Sequence, residues 1–91
     1  MTAMFPLGHV VATPGALEAL LTANASHARL LNSHISGDWG ELDAEDKKAN
    51  KDALAQGLRI FSSYTLPDGV KLWLITEADR SVTTLLLPEE Y

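Results

Sequence analysis

Ninety-one residues with 12 acidic side chains, 7 basic ones and no cysteine bound what this chain can be. A net charge of -5 argues against a protein that grips phosphate backbones, because those contacts need clustered Lys and Arg. The lack of Cys excludes disulfides and thiolate metal sites, and it fits a reducing cytoplasm.

The hydrophobic share of 46% is ordinary for a folded domain, and the length suits one α+β domain over residues 1–91. A domain of this size buries roughly 60–65% of its unfolded surface. The opening MTAMFPLGHVVATPG has neither a basic n-region nor a long apolar h-region, so no signal peptide is expected. No run approaches the roughly 20 apolar residues of a membrane span. These features predict an acidic cytoplasmic protein without a membrane partner.

In chain order, Gly8-His9-Val10-Val11-Ala12 is a short β-branched run, an edge strand or an extended lead-in. Thr13 is an N-cap with Pro14 at the first helical position, where its missing N–H costs nothing. Leu17, Leu20 and Leu21 then form an apolar stripe expected to face a core, with Asn24 as the helix end. A second helix starts at Ser26 and runs to about Ser36, with Leu31 and Ile35 on one face and Gly37 beyond its end. Asp43 caps a third helix whose first turn holds Glu45 and Asp46, complementing the helix dipole, and Gly57 closes it.

From Leu58 onward the chain reads as a three-stranded antiparallel meander: LRIFSSYTL, VKLWLITE and SVTTLLLP. The turn Leu66-Pro67-Asp68-Gly69 has a mechanism, since Pro presets φ, Asp bonds its own backbone and Gly takes φ > 0. Alternation puts Ile60, Tyr64, Leu66, Leu72 and Leu74 on one face and Phe61, Trp73 and Ile75 on the other. Two apolar faces differ from the pattern of a sheet with one wet side, so each face needs a cover, and a second copy of the chain could supply one.

Candidates for chemistry are few. His27 and His34 stand seven apart, not at the i, i+4 spacing of a metal-binding helix pair, and a rim position is the better reading for both. The stretch holding Asp38, Glu41, Asp43, Glu45 and Asp46 fails the calcium-loop pattern, because Gly40 and Leu42 stand at ligand positions. It reads as a solvated helix start or, functionally, as a phosphate-mimicking surface built on Glu41, Glu45 and Asp46. Trp39, between Gly37 and Gly40, is a candidate exposed contact, although burial is the more ordinary fate of such a residue. The loop Glu77-Ala78-Asp79-Arg80-Ser81 gathers acids, an Arg and a hydroxyl. Asp79 and Arg80 there are the candidates for a nuclease-like end of the sheet, with His9 as a conceivable neighbour. No nucleophile elbow or phosphate-binding loop occurs, and no cofactor or metal is expected.

Three segments, LGHVVATPGALEAL at 7–20, SGDWGELDAEDKKAN at 36–50 and YTLPDGVKLWLITEADRSVTTLLLPEEY at 64–91, resemble a family of short bacterial proteins labelled plasmid-related. Some of its members carry a type I restriction subunit label, which a chain this short does not support, since a methyltransferase cofactor domain alone needs more residues. The resemblance implies a setting, plasmids and integrated mobile elements, and no catalytic residue. The expected architecture is a short N-terminal strand, three helices and the meander. The expected function is a non-enzymatic protein-binding module that self-associates through its sheet, with an anti-defence role as its more specific version. The alternative is a small nuclease-like toxin acting at Glu77–Ser81. Direct nucleic-acid binding is disfavoured by the charge.

Overall fold

The computed structural model describes residues 3–91. Its elements run β1 (His9–Ala12), α1 (Pro14–Ala23), α2 (His27–Ile35), α3 (Ala44–Gln56), β2 (Ile60–Thr65), β3 (Lys71–Thr76), β4 (Val82–Leu86) and a 3-10 turn (Pro88–Glu90). Short polar side chains start each helix as the sequence requires. The Thr13 hydroxyl accepts from the N–H of Ala16, Ser26 from Arg29 and Asp43 from Asp46. Asn24 and Gly57 end α1 and α3 in the left-handed conformation.

β2, β3 and β4 form the expected antiparallel meander, but the sheet is larger than three strands. β1 joins it parallel to β4, giving one four-stranded mixed sheet in the order β1-β4-β3-β2. The parallel placement of β1 has a topological reason. Parallel neighbours need a long crossover, which the three helices and two strands between them supply, and four residues of alternation carry no mark of strand direction.

Register divides the sheet into two faces. Ile60, Ser62, Tyr64, Leu72, Leu74, Thr76, Thr83 and Leu85 point one way. Against them α1 and α2 pack Ala16, Leu20 and Leu31. Leu72, Leu74 and Leu85 are essentially sealed from solvent, each contributing about 2 kcal/mol by burial. α3 lies along the β2 margin instead, where Ala53 and Ile60 join Phe5, Trp39 and Leu42 in a second cluster. The apolar stripe of α1 is only partly used. Leu20 is buried, while Leu17, bordering β1, and Leu21 stand exposed, contrary to the expectation that all three face a core.

Candidate functional site: the aromatic sheet face

Phe61, Trp73 and Ile75 occupy the face away from α1 and α2, as alternation predicts. Phe61 meets Trp73 edge to face at 4.9 Å between ring centroids, and Trp73 meets Tyr91 in the same manner at 5.8 Å. Arg59 completes the group. Its Nη1 donates to the Tyr91 hydroxyl at 3.0 Å, its guanidinium carbon lies 5.6 Å from the Tyr91 ring centroid, and its Nε is 3.6 Å from Glu77. Together with Ile75 these residues line a recess of about 260 Å³. Drug-sized ligands occupy pockets of roughly 300–1,000 Å³, so this recess matches one protruding side chain better than a whole small molecule.

Tyr91 is held over the face by its neighbour. The Glu90 carboxylate accepts from the Thr13 hydroxyl at 2.5 Å and from the Leu87 N–H at 2.8 Å, at the start of α1. These hydrogen bonds, the Thr13 hydroxyl first, hold its carboxyl below the usual carboxylate range. Gly15 makes room for the contact: a Cβ there would lie 2.6 Å from a Glu90 carboxylate oxygen. Even so, Tyr91 remains 71% exposed, so the turn roofs the recess without sealing it.

The residues singled out from sequence fall in different places. Trp39 is 5% exposed and donates its indole N–H to the carbonyl of His34 at 3.1 Å, so it is core and not a contact residue. Glu41 pairs with Lys71 at 2.8 Å, and its carboxyl is held low by that ammonium and then by the Thr65 hydroxyl. Glu45 and Asp46 stand exposed in the first turn of α3. Asp79 is turned onto its own hairpin, accepting from the N–H and hydroxyl of Ser81 at 3.0 and 2.6 Å. Those bonds lower its pKa, the hydroxyl of Ser81 contributing first. Arg80 adopts φ 62 and donates to the carbonyls of Leu58, Glu77, Ala78 and Ala53. It fastens the hairpin to the end of α3, with both Nη atoms donating to backbone, and it forms no salt bridge with the Asp79 or Glu77 carboxylate. Glu41 lies by the start of β3 and Asp79–Arg80 follow its end, about 17 Å apart along the strand. The six candidates therefore form no single site.

One group escaped the sequence reading. His34 is not at the rim but fully buried, with Nδ1 2.5 Å from the Ser62 hydroxyl and Nε2 2.9 Å from that of Thr76. Thr76 meets Thr83 at 2.7 Å, and Thr83 donates to the carbonyl of Leu7 at 2.7 Å. That last bond sets the direction of the rest. With Thr83 donating to Leu7, Thr76 donates to Thr83, His34 donates from Nε2 to Thr76, and Ser62 donates to Nδ1. Burial keeps the imidazole neutral, lowering its pKa to about 4. The Ser62–His34 pair has the spacing of a nucleophile and its base. Both are sealed in the core, and the third member is a hydroxyl, so the chain of bonds satisfies polar groups there. The sequence signal was present: Ser62, Thr76 and Thr83 occupy inward positions of an apolar face and so require a polar partner from the opposing helices.

Among the described residues, no three His, Asp or Glu side chains gather closely enough to hold a metal ion, and no helix is long and apolar enough to cross a membrane. No protein-family model, curated protein or solved structure matches the chain.

Proposed function

We propose that this chain is a small acidic interaction protein of a bacterial mobile element, working by contact through its sheet and associating with itself. The mobile-element setting rests on the resemblance of segments 7–20, 36–50 and 64–91 to the plasmid-related family. The observation that carries the contact reading is the aromatic recess of Phe61, Trp73 and Tyr91 on the face opposite α1 and α2, where Phe61 and Trp73 are half-buried and Tyr91 is exposed. Aromatic side chains beside an Arg are the groups that dominate protein-binding surfaces, because they offer large apolar area at low entropic cost together with a polar handle. The anti-defence version adds the acid-rich stretch. Glu45 and Asp46 form no ion pair among the described residues, leaving two carboxylates free to imitate a phosphate pair.

The test uses proteins pulled from the native host by tagged wild type and identified by mass spectrometry, with each hit then titrated as a purified protein. A true partner loses affinity at least tenfold to a Tyr91→Glu variant, which charges the recess at its exposed rim. A partner whose affinity is unchanged by Tyr91→Glu and by Phe61→Ala contradicts the face reading. If Glu45→Lys with Asp46→Lys alone abolishes binding, the contact belongs to α3.

A further inference from the structure

The two edges of the sheet are treated very differently. At the β2 edge, the Asn50 carboxamide bonds both backbone groups of Phe61, and the Trp39–Glu41 segment bonds both backbone groups of Ser63. That edge is closed by the fold itself, as natural sheets commonly close their edges. Among the described residues, nothing covers the β1 edge in this way. The N–H groups of His9 and Thr13 point inward, onto Ser81 and Leu85 of the β4 side. Alternation along the ladder then turns the N–H and C=O of Val10 and Ala12 outward. No Lys, Pro or acidic residue interrupts His9-Val10-Val11-Ala12, although such residues are the usual guards of an open edge.

Apolar side chains continue the same margin. Val10, Val11 and Leu17 line one shallow groove with His27, and Leu17 and Leu21 line the next, so the patch is continuous from strand to helix. Val10 is 43% exposed, Val11 47%, Leu17 53% and Leu21 83%. Those four residues present roughly 400 Å² per copy. Two copies would bury at most about 800 Å² from them, and at most about 1,000 Å² with backbone and rim, the lower bound for a specific interface.

We infer that β1 pairs with β1 of a second copy of this chain, antiparallel about a two-fold axis at Val11, to give one continuous eight-stranded sheet. The inference deepens the self-association part of the proposed function and rests on it. In this register Val10 of one protomer faces Ala12 of its partner, and the reverse, so all four outward backbone groups of each strand are paired. Val11 meets its own copy on the axis, as an isologous contact requires. Leu17 borders β1 and Leu21 lies in the adjoining groove, so the two-fold axis sets the Leu17–Leu21 edges of both copies on one side of the new sheet. The modest area specifies a reversible, concentration-dependent dimer and not an obligate one.

Sedimentation equilibrium of the full chain decides it. The expected result is a weight-average mass that climbs from 9.8 kDa toward twice that value with concentration. Val11→Lys, which sets two like charges on the axis, and Leu21→Asp should each weaken association at least tenfold, while Val11→Thr and Tyr91→Glu associate as wild type. Circular dichroism and melting confirm that each variant is folded; all three positions are solvent-exposed, so the changes are tolerated by the monomer. If Val11→Lys and Leu21→Asp associate normally and Tyr91→Glu does not, the contact lies on the aromatic face. That outcome overturns the β1 pairing but keeps self-association. A wild type that stays monomeric at every concentration, or that pairs β1 only with a strand of another protein, overturns both.

Discussion

The side-chain amide of Asn50 pairs with both backbone groups of Phe61, donating to its carbonyl at 2.6 Å and accepting from its N–H at 3.1 Å. A single helical side chain thus stands in for a neighbouring strand. Asn50→Ala leaves both groups at a largely buried margin, and we expect a loss of about 1–3 kcal/mol in urea unfolding. Asn50→Asp should cost at least as much, because its carboxylate can accept from Phe61 but would face the Phe61 carbonyl without a proton to give. An Asn50→Ala protein as stable as wild type would show that water closes this edge equally well.

Arg80 combines a left-handed backbone with four carbonyl contacts, and the two contributions separate by substitution. Arg80→Gly keeps the backbone conformation at no steric cost and loses the bonds, about 2 kcal/mol. Arg80→Ala loses the same bonds and keeps the Cβ strain at φ 62 that wild type already carries and glycine relieves, so it should be less stable than Arg80→Gly by about 1 kcal/mol. Equal melting temperatures for the two variants would remove the strain component.

His34 predicts a pH dependence with a definite sign. Its imidazole takes a proton near pH 6.5 when unfolded but only near pH 4 when folded, so the unfolded chain binds more protons between these values. The stability tied to His34 is complete above pH 6.5 and falls by roughly 3 kcal/mol as pH drops to 4. In His34→Gln, whose amide can still accept from Ser62 and donate to Thr76, the slope across this window should flatten. A wild-type curve already flat between pH 4 and 6.5 would mean that water reaches the imidazole.

Glu90 and Tyr91 act as one unit. Glu90→Gln weakens the hold on Thr13 and Leu87 and should free Tyr91 from Trp73, shifting Trp73 emission to the red while Trp39, buried elsewhere, is unchanged. Because the Glu90 carboxyl is held low by its hydrogen bonds, the same release should appear in wild type as pH falls through its folded pKa, and not above it. An emission spectrum indifferent to both changes would show that the tyrosine packs without the carboxylate.

Much of this molecule is legible in its residues, and the losses have identifiable causes. Helix starts at Thr13, Ser26 and Asp43 and the Pro67-Asp68-Gly69 turn are local chemistry, and the structure agrees with each. The division of Phe61, Trp73 and Ile75 from Tyr64, Leu72 and Leu74 follows from period two and holds across the whole meander. What local reasoning misses is decided at a distance. The parallel placement of β1 depends on a partner some seventy residues away. The burial of His34 depends on three hydroxyls from separate strands, and Trp39 reads as a loop residue until its indole finds the carbonyl of His34. Asp79 and Arg80 look like chemistry because they are polar and clustered; in place, Asp79 is absorbed by its own hairpin and Arg80 by backbone carbonyls of the hairpin and of the α3 end.

The central claim, that one sheet edge is closed and the other is built to pair, is tested most directly by amide hydrogen exchange at two residues. The N–H of Phe61 is held by Asn50 and should be protected at every protein concentration. The N–H of Val10 should exchange freely in dilute protein and at least tenfold more slowly in concentrated protein, as β1 of a second copy covers it. A Val10 amide whose exchange rate does not change with concentration would contradict the account.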